Sequence, residues 1–104
     1  MIKEKPDGVK GVPKSVIFKY PEGTISKGMV TKEVGKLQKS SVIGDYYAVI
    51  QLIQRPNEEN SIRFGYYRKK PNGKKFTWGS QTTYEFPVSF TKELIKMAEK
   101  EGIF

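Results

Sequence analysis

The sequence predicts an α+β fold in which an antiparallel sheet of three to five strands packs on a C-terminal helix. Three observations predict it: short β-rich runs, x-Pro-x-Gly-x turns between runs, and an apolar stripe of helical spacing near the end of the chain. At 104 residues the chain is long enough to bury one modest core. We therefore interpret residues 15–104 as a single domain, and residues 1–14, which Gly and Pro interrupt, as a flexible basic tail.

The first strands follow one another with short polar connections. SVIFKY (15–20) is a β-rich run closed by the turn residues PEG, and ISKGMV (25–30) can return as a second strand. DYYAVIQLIQ (45–54) is the clearest core strand, because its alternate side chains give two apolar faces. SIRFGYYRKK (61–70) is predicted as the next strand after a polar loop.

The remaining segments predict a further strand or two and the helices. KKFTWG (74–79) and TTYEF (82–86) supply one strand, or two with a break at residues 79–80. Residues 31–41 can form a short helix with Thr31 as its N-cap and with Val34 and Leu37 on one side. In the last helix Thr91 is the predicted cap and Gly102 the predicted stop; its apolar stripe comprises Phe90, Leu94, Met97 and Ala98.

The composition excludes much of enzyme chemistry. The chain has no histidine and no cysteine, which removes the usual general base and the strongest zinc ligands. The carboxylates are scattered, and the glycines match no phosphate-binding motif, so we predict no catalytic residue, no metal site and no cofactor. No apolar run is long enough to cross a bilayer or resembles a secretory signal, so we predict a cytoplasmic protein without a membrane partner.

Positive charge is concentrated in one part of the chain. The formal net charge is +8, and residues 61–78 contain no acid while carrying six cations: Arg63, Arg68, Lys69, Lys70, Lys74 and Lys75. The final segment, residues 91–104, balances three lysines with three glutamates. A charge concentrated in this way is typical of a protein with a polyanionic partner, either nucleic acid or an acidic protein.

A hairpin register decides which of these residues share a face. A three-residue loop at 71–73, with Gly73 in the left-handed conformation, pairs Tyr67 with Thr77 and Gly65 with Gly79. One face then carries a core set, Ile62, Phe64, Tyr66, Phe76 and Trp78. The other face is expected to be flat and basic, with nothing above the paired glycines. It carries Arg63, Tyr67, Lys69, Lys75 and Thr77.

The leading hypothesis is a small nucleic-acid-binding protein that contacts phosphates and bases with this face and with the 66–78 hairpin. The sequence leaves open whether the ligand is DNA or RNA, single-stranded or duplex. The predicted binding residues are Arg63, Tyr67, Arg68, Lys69, Lys70, Lys74, Lys75 and Thr77. A second set can extend the surface: Tyr47 and Gln51 on the neighbouring strand, and Lys32, Lys36 and Lys39 on the predicted short helix.

Two other functions fit the same residues. One is a protein-interaction module, such as a phage or mobile-element accessory factor, that docks an acidic partner through the hairpin. The other is a histidine-free ribonuclease of the mRNA-interferase kind, with Arg63, Tyr67 and Lys69 as its candidate residues. The layout of residues 45–104 also resembles other sheet-based nucleic-acid-binding modules, such as integrase arm-binding domains and plant ethylene-response-factor domains. No family-specific motif accompanies the layout, so no residue role is transferred.

Overall fold

The computed structural model describes residues 5–39, 44–79 and 86–104. The elements are β1 (Lys14–Lys19), β2 (Ile25–Gln38), β3 (Asp45–Gln54), β4 (Ser61–Lys69), β5 (Thr77–Trp78) and α1 (Val88–Lys100). Each strand pairs antiparallel with the next, so the order in the sheet is β1-β2-β3-β4-β5. The predicted α+β class, with an antiparallel sheet and a C-terminal helix, is confirmed.

The short helix predicted at residues 31–41 is wrong, because its described part up to Gln38 belongs to the long strand β2. The spacing of Val34 and Leu37 fits a helix, but residues 32–38 all pair with β3. This strand pairing outweighs a helix propensity that Gly35 and the β-branched residues already lower. As a strand, the segment sends alternate side chains to opposite faces of the sheet, which a helix would not do.

The outer face of the sheet, which we define as the face that α1 covers, holds the main apolar core. Leu94 and Ala98 of α1 are buried there with Val34, Ala48 and Ile50 of the sheet. The predicted apolar stripe of the helix is therefore confirmed, and Gly102 follows the helix with φ +75°, as expected of a C-terminal stop.

The predicted start of α1 is wrong by four residues, since the N-cap is Pro87 rather than Thr91. The helix begins at Val88, and Pro87 occupies the cap position with ψ 148° and no side-chain cap. Thr91 lies inside the first turn, where its hydroxyl donates to the Pro87 carbonyl at 3.1 Å. Proline suits the start of a helix because it lacks the N–H that would otherwise need a partner.

The sheet curls toward its other face, which we call the concave face. In a flat sheet, β1 and β4 would lie about 14 Å apart, since two strands separate them. Across this face, however, Lys14 Nζ donates to the Tyr67 hydroxyl at 2.8 Å. The Arg63 guanidinium carbon also lies 5.1 Å from the centroid of the Phe18 ring. The curl therefore brings the edge strand β1 close to the β4–β5 hairpin.

Part of the segment interpreted as a flexible tail packs onto the concave face. Val9 is 8% exposed and lies in an apolar cluster with Val49, Tyr67 and Phe76. The Phe76 N–H donates to the Asp7 carbonyl at 2.7 Å. Asp7 and Val9, which lie in this segment, therefore pack against the sheet.

The strand predicted at residues 74–79 is shorter in the structure, since β5 comprises Thr77 and Trp78. Most of the predicted strand at residues 82–86 lies outside the described residues, and Phe86 packs against the outer-face core just before α1. Nowhere in the described part of the chain is there a helix with the length and apolar character needed to cross a membrane.

Candidate functional site

The tip of the β4–β5 hairpin, which we define as residues 70–75, is an exposed cationic turn. The Gly73 N–H donates to the Lys70 carbonyl at 2.8 Å and closes a turn. Lys70, Lys74 and Lys75 are exposed. None of the three forms an ion pair with a carboxylate in the described ranges of the chain. The tip therefore presents three ammonium groups to solvent.

The register of this hairpin differs from the predicted one. Tyr67 pairs with Trp78 rather than with Thr77. Gly73 is not left-handed, and the ladder resumes only at residue 77 instead of directly after the turn. The physical reason is Phe76, which is 6% exposed because it packs into the concave-face cluster. A three-residue loop would let residues 74–76 pair with β4, but burial of the Phe76 ring draws these residues away from that strand.

The expectation of a flat face with open glycines is also wrong. A Cβ added at Gly65 would lie 2.2 Å from Cη2 of Trp78, so the indole ring covers this glycine directly. Trp78 was predicted to lie in the core, but it is 39% exposed and shares the concave face with Arg63 and Tyr67. The one-residue change of register moved it there, because adjacent strand residues face opposite sides.

Arg63 is held between two aromatic rings. Its guanidinium carbon lies 4.3 Å from the Trp78 ring centroid and 5.1 Å from that of Phe18. Its Nε donates to Gln51 Oε1 at 2.8 Å, and Gln51 is fully buried. Burial lowers the pKa of Arg63 from its ordinary value, although the group stays charged at neutral pH. The sandwich fixes the guanidinium plane and bridges β1 to β5.

A carboxylate that the sequence analysis did not select organises the concave face. The Glu33 side chain has 0% exposure and accepts hydrogen bonds from Lys5 Nζ at 2.6 Å and Lys14 Nζ at 3.0 Å. Gln51 Nε2 donates to its second oxygen at 2.5 Å. Burial by itself raises the pKa of the Glu33 carboxyl, but the hydrogen bonds from Lys5, Gln51 and Lys14 outweigh it and lower the pKa.

Tyr67 belongs to this network rather than to an open surface. It is 8% exposed, and its ring lies 5.0 Å from the Trp78 ring in an edge-on arrangement. Burial, assisted by the negative charge of Glu33, raises the pKa of Tyr67 to about 12. The phenol is therefore protonated at neutral pH, and its buried ring offers little area on which a base could stack.

The other predicted binding residues of the hairpin do not lie together on one face. Arg68 is on the outer face, with its guanidinium carbon 5.7 Å from the Tyr46 ring centroid. The Lys69 ammonium lies 3.6 Å from an Asp45 carboxylate oxygen. Thr77 is exposed on β5, next to the tip. Of the predicted primary set, the tip lysines, Thr77 and Arg68 are thus exposed, whereas Arg63, Tyr67 and Lys69 are buried or half-buried.

The secondary set is not one continuous surface. Tyr47 and Gln51 lie on the concave face, where the Tyr47 ring covers Gly35. Lys32 donates to the Glu101 carbonyl at 3.3 Å, and Lys36 pairs with the Glu93 carboxylate, so both contact the α1 side. Lys39 is exposed after the end of β2. The stripe of three lysines that a helix would have formed is absent.

Sequence reasoning missed Lys5, Lys14, Glu33 and the accessible position of Trp78. One feature of the sequence could have pointed to Glu33. It alternates with Val34 in a segment whose pattern also fits a strand, which places the two side chains on opposite faces. No local pattern could have pointed to Lys5 and Lys14, because they contact Glu33 from 28 and 19 positions away in the chain.

Because of Glu33, the free energy of unfolding should vary with pH in the acidic range. Its folded pKa is lower than the ordinary value of 4.5, so the unfolded chain takes up the proton first as the pH falls. Its stabilisation is complete above the unfolded pKa and is lost as the pH falls through the folded pKa. The measurement is the free energy of unfolding of the wild type and Glu33→Gln across this range. Their difference should shrink toward acidic pH, and a constant difference would contradict the assignment.

No family model, curated protein or solved structure matches the chain. In the described ranges, no group of three or more Asp or Glu side chains lies close enough together to hold a metal ion.

Proposed function

We propose that this protein binds nucleic acid through the hairpin tip, with phosphates contacting the exposed lysines Lys70, Lys74 and Lys75. The observation that carries the proposal is that one turn holds three exposed lysines, none of which forms an ion pair with a carboxylate of the described residues. Lysine ammonium groups are donors and point charges that suit phosphate oxygens without regard to base sequence.

Several lysines elsewhere on the molecule are paired with carboxylates. Glu33 neutralises part of the charge of Lys5 and Lys14, Glu93 pairs with Lys36, and Asp45 lies beside Lys69. The three tip lysines carry like charges within six residues of the chain, so they repel one another in the free protein. A bound polyanion removes this repulsion and releases its own counterions, so both effects favour binding.

The test is fluorescence anisotropy with labelled single-stranded DNA, duplex DNA and RNA at low and moderate salt. We expect affinity to fall steeply with salt. We expect the triple variant Lys70→Ala, Lys74→Ala, Lys75→Ala to bind about tenfold more weakly at low salt. The slope of log affinity against log salt should fall by about one for each lysine that contacts a phosphate.

A matched control removes three exposed lysines elsewhere: Lys27, Lys92 and Lys96, each changed to Ala. This variant has the same net charge as the tip variant and should retain most of the affinity. Equal losses in both variants would mean that only total charge matters, and no binding at low salt would refute the proposed function. Polyglutamate is included as a competitor, because an acidic protein partner would bind the same cations. Binding of polyglutamate but of no nucleic acid would favour that alternative.

A further inference from the structure

A cleft of about 450 Å³ lies beside the tip, between the two edge strands of the curled sheet. Residues of β1 and of the preceding segment, including Lys10 and Lys14, form one wall. Arg63, Tyr67 and Trp78 from β4 and β5 line the other. The volume lies within the range of pockets that bind small organic ligands.

The chemistry of this cleft fits an anion attached to a flat ring. Its described lining includes three cations, Lys10, Lys14 and Arg63, and no carboxylate. Lys10 is exposed, and Lys14 is fixed by its bonds to Glu33 and Tyr67. Rings and aliphatic side chains supply the apolar part of the walls.

Arg63 provides the most specific feature of the cleft. A guanidinium has five N–H donors in a rigid fork. In the described part of the chain, Arg63 uses only Nε, which donates to Gln51. The rings of Phe18 and Trp78 hold the group in place, so its terminal nitrogens have fixed positions and donors to spare. A preorganised fork of this kind suits bidentate contact with a phosphate.

We propose that this cleft binds one unpaired nucleotide, so that the ligand at the hairpin tip is a single-stranded nucleic acid. The inference rests on the proposed function. In a duplex the bases are stacked and paired inside two backbones, whereas a single strand can turn individual nucleotides into a cleft. Phe76, Thr77 and Trp78 line the cleft and directly follow Lys75, so a strand bound to the tip can reach it.

The experiment uses Trp78, which is the only tryptophan in the chain, as a reporter in the cleft. A labelled thymidine oligonucleotide and a labelled duplex are titrated separately, while probe anisotropy and tryptophan fluorescence are recorded together. We expect the oligonucleotide to quench Trp78 with the same midpoint as its anisotropy change, and the duplex to leave the fluorescence unchanged.

Variants then separate the cleft from the tip. An Arg63 variant can lose stability along with binding, so the deciding variant is Lys10→Glu, at an exposed position. We expect it to weaken oligonucleotide binding about fivefold relative to Lys27→Glu, which makes the same charge change on the outer face. Both variants should bind duplex equally.

The outcomes distinguish the two proposals. If oligonucleotides bind but Trp78 fluorescence stays constant and Lys10→Glu behaves like Lys27→Glu, the cleft proposal is overturned and the tip proposal stands. If no nucleic acid binds, both are overturned. Quenching by polyglutamate but by no oligonucleotide would overturn the nucleotide assignment in favour of an acidic peptide.

Discussion

The Glu33→Gln substitution is expected to lower the free energy of unfolding by about 3 kcal/mol, the lower end of the range for removing one partner of a buried ion pair. Glutamine keeps the shape of the side chain and removes its charge. Lys5 and Lys14, which are 26% and 12% exposed at their side chains, would lose their counterion. Lys5 is exposed enough to turn partly into water, which keeps the expected loss from being larger.

Chemical denaturation at neutral pH measures this loss. The control is Glu93→Gln, which also removes a carboxylate that pairs with a lysine, Lys36, but at an exposed position. Surface pairs contribute little to stability because water screens them, so the control should unfold almost like the wild type. If both variants unfold at the same denaturant concentration, the buried cluster contributes no more than a surface pair, and its organising role on the concave face is wrong.

The Gly65→Ala substitution is expected to lower stability by about 2 kcal/mol, as for other cases in which extra atoms are forced into a packed site. The added methyl group would lie 2.2 Å from the Trp78 ring, so the indole must leave its position. Its displacement also ends the stacking of Trp78 on Arg63, which bridges the two edges of the curled sheet. Gly11→Ala is the matched control, because a Cβ there meets no atom within 4 Å.

A double-mutant cycle with Trp78→Ala tests the cause of this loss. Once the ring is removed, Gly65→Ala should cost much less, so the two substitutions should show a clear coupling energy. If Gly65→Ala lowers stability by the same amount in the Trp78→Ala background, the added methyl group does not clash with the Trp78 ring. Tryptophan fluorescence of the single variant Gly65→Ala would shift toward that of a solvent-exposed indole if the ring is displaced.

These two substitutions probe the packing of the concave face, whereas the tip lysines can be changed with little effect on the fold. Lys70, Lys74 and Lys75 are exposed and lie beyond the end of β4. Loss of binding in the tip variant can therefore be separated from loss of structure by a single unfolding measurement on the same sample.

The sequence by itself determined the elements whose pattern is local. Strands β3 and β4 are visible from alternation over successive residues, and α1 from the spacing of Leu94 and Ala98. These patterns follow from the residue repeat of a strand or a helix, so they can be recognised in the sequence alone. The group formed by Lys70, Lys74 and Lys75 is equally local, so its position on a hairpin tip could also be predicted.

The tertiary structure decided everything that depends on partners distant in the chain. Residues 32–38 became a strand because β3 pairs with them. Burial of Phe76 beside Val9 moved the register that placed Trp78 on the concave face. Glu33 acquired its lysines only when the sheet curled and residues 5–14 packed across it. Local propensities differ by only about 1 kcal/mol per residue. Burial of a large side chain or pairing of a buried charge exceeds that, so long-range packing overrides the local preference at these positions.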